Sequence, residues 1–142
     1  MQELIGKIIT GIEIDNEQQE YLVFHIKDEE PIAYYANGEC CSSSWFYSVM
    51  DGMLLIGEPV LDVEEVEMPE GRWNDESGGE LIQFYGYAIK SPRGVCRVEF
   101  RNESNGYYGG SLCTTYIGHV PKDRLRFLAG DYTTGLDGNV II

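Results

Sequence analysis

From residue 21 to residue 27 the side chains fall into two interleaved sets, with Leu22, Phe24 and Ile26 on one parity and Tyr21, Val23 and His25 on the other. A repeat of two residues fits a pleated strand, packed on one face and open on the other, and does not fit a helix. The same period recurs in residues 4–15, where Ile8, Ile12 and Ile14 share a face and Gly11 marks a bulge or close approach. It recurs again in residues 95–102, where Cys96, Val98 and Phe100 oppose Val95, Arg97, Glu99 and Arg101. Between these runs lie turn-forming stretches: residues 16–20, residues 28–31, Asn37-Gly38, and Ser91-Pro92-Arg93-Gly94, with Pro second and Gly fourth as a type I turn prefers. The 17 glycines among 142 residues add to the preference for tight turns over long helices.

Two stretches read differently. Serines precede Trp45, Phe46, Val49 and Met50, a stripe with helical offsets, and Gly52 offers a stop, so the pattern predicts a short helix over residues 43–51. Residues 121–130, opening on Pro121 and closing on Gly130, predict a second. In residues 60–68 Leu61 and Val63 take one parity and Val66 and Met68 the other, which predicts a bulge near Glu64-Glu65. The expected fold is α+β: a single antiparallel β-sheet of about six or seven strands, meander and hairpins, with one or two short helices packed on it. One domain spans residues 1–142, with a polar loop at 67–80 and a C-terminal helix and tail at 118–142.

Charge divides the chain. Residues 1–70 hold 16 Asp/Glu against Lys7 and Lys27, while acids and bases balance beyond residue 70, giving a net charge of −14. All six arginines lie in the second half. Such a chain is repelled by phosphate backbones and anionic lipid, which argues against direct nucleic-acid or membrane-surface binding. No apolar run is long enough to span a bilayer and the N-terminus does not read as a leader, so a cytoplasmic setting is expected. Cys40, Cys41, Cys96 and Cys113 show no metal-type spacing and read as reduced thiols; neither a metal nor a cofactor is expected.

Several groups are candidates for chemistry. Cys41 or Cys40 ahead of a helix N-terminus, with His25 or His119 as base, would make a nucleophile; the simpler reading is a pair of thiols in a turn. The run Asp62-Val63-Glu64-Glu65-Val66-Glu67 offers paired carboxylates for acid/base work, a mimic of phosphate charge, or simply a solvated strand face. In residues 100–110 (FRNESNGYYGG), glycines permit close approach, Tyr107 and Tyr108 offer stacking faces, and Arg97 and Arg101 can pair with phosphate. Asn102 and Asn105 complete that candidate anion cradle, with Ser43, Ser44 and Trp45 as a possible second segment. An aromatic-filled turn between two strands is its plainer interpretation.

Residues 40–46 (CCSSSWF) and 100–110 resemble the two signature segments of a family of small, acidic, uncharacterised proteins of bacteriophages and prophages. The opening at Leu4-Ile5-Gly6-Lys7 and the strand around Asp62-Val63-Glu64-Glu65 are similar too, so the resemblance covers roughly residues 3–112. It implies a setting in the infected bacterial cell and names no reaction. The expected function is therefore that of a non-enzymatic phage-type accessory protein that acts by binding, in counter-defence. Its ligand would be a small anionic, nucleotide-like signalling molecule, held in a pocket shared within a homo-oligomer. The alternative is an acidic inhibitor or DNA mimic that blocks a host protein, and the third reading is a small enzyme using Cys41 or acidic residues.

Overall fold

The computed structural model describes residues 1–39, 42–74, 80–106 and 109–134. In chain order its strands are β1 (Ile9–Asp15), β2 (Tyr21–Ile26), β3 (Ile32–Gly38), β4 (Ser43–Met50), β5 (Asp62–Val66), β6 (Arg72–Asn74), β7 (Glu80–Ser91), β8 (Gly94–Ser104), β9 (Gly110–Thr115), β10 (Leu125–Phe127) and β11 (Tyr132–Thr133). They form two antiparallel sheets. One has the order β10-β1-β2-β3-β9; the other runs β11-β4-β8-β7-β5, with β6 also on β7. The expected α+β fold with one sheet is thus replaced by a nearly all-β pair of sheets, and no helix reaches seven residues among the described residues.

The inner faces meet in one core. Ile12, Ile14, Leu22, Phe24 and Tyr34 come from the first sheet, and Phe46, Val49, Ile89, Val98 and Phe100 from the second, all at most 1% exposed. Each aliphatic or aromatic side chain so buried contributes about 1.5–3 kcal/mol. Alternation made β1, β2 and β8 readable, and the β7–β8 hairpin closes at Ser91↔Gly94 around Pro92-Arg93.

Residues 43–51 are strand, not helix, for an identifiable reason. The β4–β8 register shifts between Phe46 and Ser48, so that Phe46 pairs with Phe100 and Val49 with Val98. The extra residue of the bulge places two core side chains three positions apart on one face, which imitates a helical repeat. The second expected helix is a single 3-10 turn, Lys122–Arg124, running into β10, with Leu125 opposite Asp15. No bulge interrupts β5, which pairs regularly from Asp62↔Lys90 to Val66↔Gly86; Val66 sits on the outer face, where Met68 folds over Gly86. Part of the polar loop forms β6, while residues 75–79 lie outside the described residues, as do Cys40, Cys41, Tyr107, Tyr108 and the tail from 135.

Asp15 anchors the turn after β1. Its buried carboxylate accepts hydrogen bonds from the backbone N–H groups of Glu17, Gln18 and Glu20 at 3.0–3.1 Å and from Arg124 Nη2 at 2.8 Å. Burial pushes its pKa up, but those donors, Gln18 and Arg124 foremost, outweigh it and hold the group below its ordinary value. Residues after β9 fasten both sheets: β10 extends the first, β11 extends the second, and Val120 covers Val23 and Ala33 on the outer face.

Candidate functional site

The chain crosses from the first sheet to the second between Gly38 and Ser43, and back between Ser104 and Gly110. The two crossings are neighbours, because β3 pairs with β9 at Gly38↔Gly110 and β4 with β8 at Ser43↔Glu103. Both sequence segments singled out above therefore converge on one corner. Ser44 Oγ donates to Asn102 Oδ1 at 2.8 Å, and Asn102 is fully buried. A Cβ on Gly110 would stand 2.8 Å from Ser44 Oγ and 3.0 Å from Asn102 Cβ, so only glycine lets β9 lie this close. Asn102→Ala removes this acceptor and leaves the Ser44 hydroxyl the Asn37 carbonyl at 3.2 Å, so it is expected to cost about 0.5–1.5 kcal/mol in urea unfolding; an unchanged midpoint would separate these residues from the corner's stability.

The remaining candidate residues divide between faces. Arg101 and Trp45 pair in register on the outer face of the second sheet. The Arg101 guanidinium lies 3.4 Å from the Tyr47 ring centroid and 4.7 Å from that of Phe84, while its Nε donates to Glu99 Oε2 at 2.5 Å. Arg97 is exposed on the same face, and Arg72 stands over Phe84 at 6.0 Å. Trp45 is 8% exposed, and its indole N–H meets no acceptor among the described residues. Ser43 and Asn105 are exposed, Ser44 and Asn102 face inward at the corner, and Tyr107 and Tyr108 lie outside the described residues.

A different feature was missed in the sequence. At one open side of the sandwich the margin of the first sheet, β9, faces the β7–β5 margin of the second across a cavity of about 450 Å³. Its wall is an aromatic stack: Tyr85 lies on Phe100 at 4.7 Å and 10°, and Tyr87 flanks Phe100 at 6.4 Å and 14°. Both tyrosines are half-buried, and they share a parity because only Gly86 separates them. That spacing, opposite Phe100 in a hairpin, was the available signal.

The polar groups around this wall are acidic. Tyr87 donates its hydroxyl to Glu65 Oε1 at 3.2 Å, and Tyr34 donates to Glu3 at 2.8 Å beneath it. Burial, then the Glu65 charge, push the Tyr87 phenol up to about 12, and the Tyr34 hydrogen bond chiefly holds Glu3 below its ordinary value. Glu3 is thus charged at neutral pH. Tyr85 accepts the Gly110 N–H at 3.1 Å, which ties the wall to β9. An acidic group beside two half-buried phenol rings suits a cation.

Groups considered for catalysis are dispersed. Cys96 is buried, its thiol pushed up to about 12 by desolvation and then by Asp51 and Asp131. Cys113 is exposed on β9. His25 contacts Glu13 at 2.5 Å and stacks on Phe127 at 5.2 Å, in a second cavity of about 360 Å³ that also takes in Lys122. His119 meets Tyr116 edge-on at 5.4 Å. No group of three or more potential metal ligands occurs among the described residues, and no helix is long and apolar enough to cross a membrane.

A family described as Domain of unknown function (DUF7448) matches residues 2–114, from the first turn through nearly all of β9. The crossing corner and the aromatic cavity lie within that span; β10 and β11 lie beyond it. No curated protein and no solved structure matches the chain.

Proposed function

The chain belongs to the DUF7448 family, and from the geometry of this member we propose a non-enzymatic binding protein whose aromatic cleft receives a cationic group of a basic partner protein. The observation that carries this reading is the Tyr85–Phe100–Tyr87 wall with Glu65 hydrogen-bonded to the Tyr87 hydroxyl at its rim. The net charge of −14 supports it, because long-range attraction favours a basic partner and speeds the encounter. In the phage setting suggested by the sequence resemblance, such a protein would act in counter-defence by covering a basic host surface.

Titration calorimetry with an oligo-arginine peptide at about 0.15 M salt, where distant charges are screened, tests this reading. Glu65→Gln is expected to weaken binding about ten-fold or more. Glu30→Gln, on the exposed β2–β3 turn, should change it only about two-fold. Equal effects from both variants would reduce the attraction to net charge and remove the cleft from the account.

A small anionic, nucleotide-like ligand is the second reading. It is favoured by Arg72, Arg97 and Arg101 sharing one face with the Trp45 indole N–H, which meets no acceptor among the described residues. The close Glu99 partner of Arg101 already offsets part of that positive charge, which is why this reading ranks second. Washing the protein with a panel of linear and cyclic nucleotides, denaturing it, and identifying the released compounds by mass spectrometry separates the two. An intact nucleotide retained by the wild type and lost from Arg101→Ala would favour the anion.

A further inference from the structure

Resting on the cleft reading above, we propose that the basic partner enters as an extended segment that adds a strand to the outer margin of β9. Its alternate cationic side chains would then drop onto the Tyr85–Phe100–Tyr87 wall.

The backbone directions on β9 follow from two hydrogen bonds. Ala36 donates its N–H to Glu20 on the β2 side, so on β3 the residues facing β9 are Ala33, Tyr35 and Asn37. Their register partners Thr115, Cys113 and Ser111 turn inward to β3, and by alternation Gly110, Leu112 and Thr114 turn their N–H and C=O groups outward. The Gly110 N–H, which reaches Tyr85 across the cleft, confirms that direction. No strand of the described residues lies along this margin.

An open edge of this kind is usually guarded by charge, proline or a bulge. β9 reads Gly-Ser-Leu-Cys-Thr-Thr, with no charge, no proline and an unbroken six-pair register to β3. The other margins are guarded or short: β5 carries Asp62, Glu64 and Glu65, β10 has three residues including Arg126, and β11 has two. A strand placed beside β9 at the usual spacing of about 4.8 Å would lie over the open side of the sandwich. Its inward side chains would continue the face that bears Leu112, toward the cavity and Glu65. Charge selects the occupant: a second copy would bring another −14, whereas a basic segment is attracted.

The probe is an eight-residue peptide of alternating Arg and Val with blocked ends. N-methylating alternate residues, in each of the two phases, blocks one edge of its strand at a time. One phase is expected to lose binding and the other to keep it, while exchange of the Leu112 and Thr114 amides slows in the complex. Thr114→Pro removes an outward N–H without touching the β3 ladder. It should weaken binding about ten-fold or more and leave the melting temperature within about 5 °C. If both N-methylated phases bind as well as the parent and those amides exchange unchanged, strand addition is overturned and the cleft reading stands. If the parent peptide fails to bind, both readings fall. If the chain alone sediments as a dimer that Thr114→Pro dissolves, the occupant is a second copy and the basic segment is excluded. The amide-exchange result on the wild type decides the matter even if the proline variant does not fold.

Discussion

Asp15→Ala is expected to lose about 3–5 kcal/mol of stability at neutral pH, the usual cost of removing one partner from a buried charge pair. The deletion strips three backbone N–H groups and the Arg124 guanidinium of a shared acceptor, and Arg124 keeps a charge that is only 16% exposed. The loss spans distant parts of the chain, because Arg124 directly precedes β10 and Asp15 closes β1. The pH dependence follows from the lowered carboxyl pKa. The folded state holds its proton less tightly than the unfolded chain, whose aspartates titrate near 3.9. Stability is therefore fully present above about pH 4–5 and declines as pH falls through the folded value. Urea midpoints at a series of pH values should show the gap between wild type and Asp15→Ala closing below about pH 4. A constant gap would mean that the carboxylate's charge contributes nothing.

Phe100→Ala carries the second large effect. Phe100 is 1% exposed, stacked on Tyr85 and set edge-on to Phe46 at 6.3 Å and 60°. Its removal costs about 3–5 kcal/mol through lost burial and the cavity left behind. For a chain of this length that corresponds to a drop of about 10–15 °C in melting temperature. Phe100→Leu keeps much of the volume and should recover most of the stability. It removes the central ring, however, so peptide affinity should stay depressed. Full recovery of both properties in Phe100→Leu would show that the stack serves packing alone.

Strand content was legible wherever one face packs and the other does not. Tyr21 to Ile26 and the β7–β8 hairpin declare themselves by parity and by Pro92-Arg93 at the turn. The division into two sheets was not legible. It is decided where the chain leaves β3 at Gly38, returns at Gly110 and changes sheets again between β10 and β11, and only strand pairings distant in sequence, β3 with β9 and β4 with β8, show the change. β4 misled because the bulge after Phe46 counterfeits a helical stripe. The short C-terminal strands misled because β10 and β11 draw their stability from sheet margins already built by β1 and β4.

The site was legible in part. The two singled-out segments do meet, yet Ser44 and Asn102 bond to each other inside the corner, while Arg101 stacks on the outer face beside Glu99. The cleft was hidden because its parts are ordinary in isolation. Tyr85 and Tyr87 read as strand residues, Glu65 as one acid in a run, and Phe100 as core. Only the meeting of the β9 margin with the β5–β7 margin makes them one surface.

The measurement that tests this surface most directly is an NMR map of the labelled protein, following backbone amides and aromatic rings while oligo-arginine is added and, separately, a mixture of nucleotides. The account expects the peptide to shift Tyr85, Tyr87, Phe100 and Glu65 in a saturable way, with Arg97 and Trp45 little changed. Shifts confined to Arg97, Arg101 and Trp45, produced by the nucleotides and absent with the peptide, would contradict it.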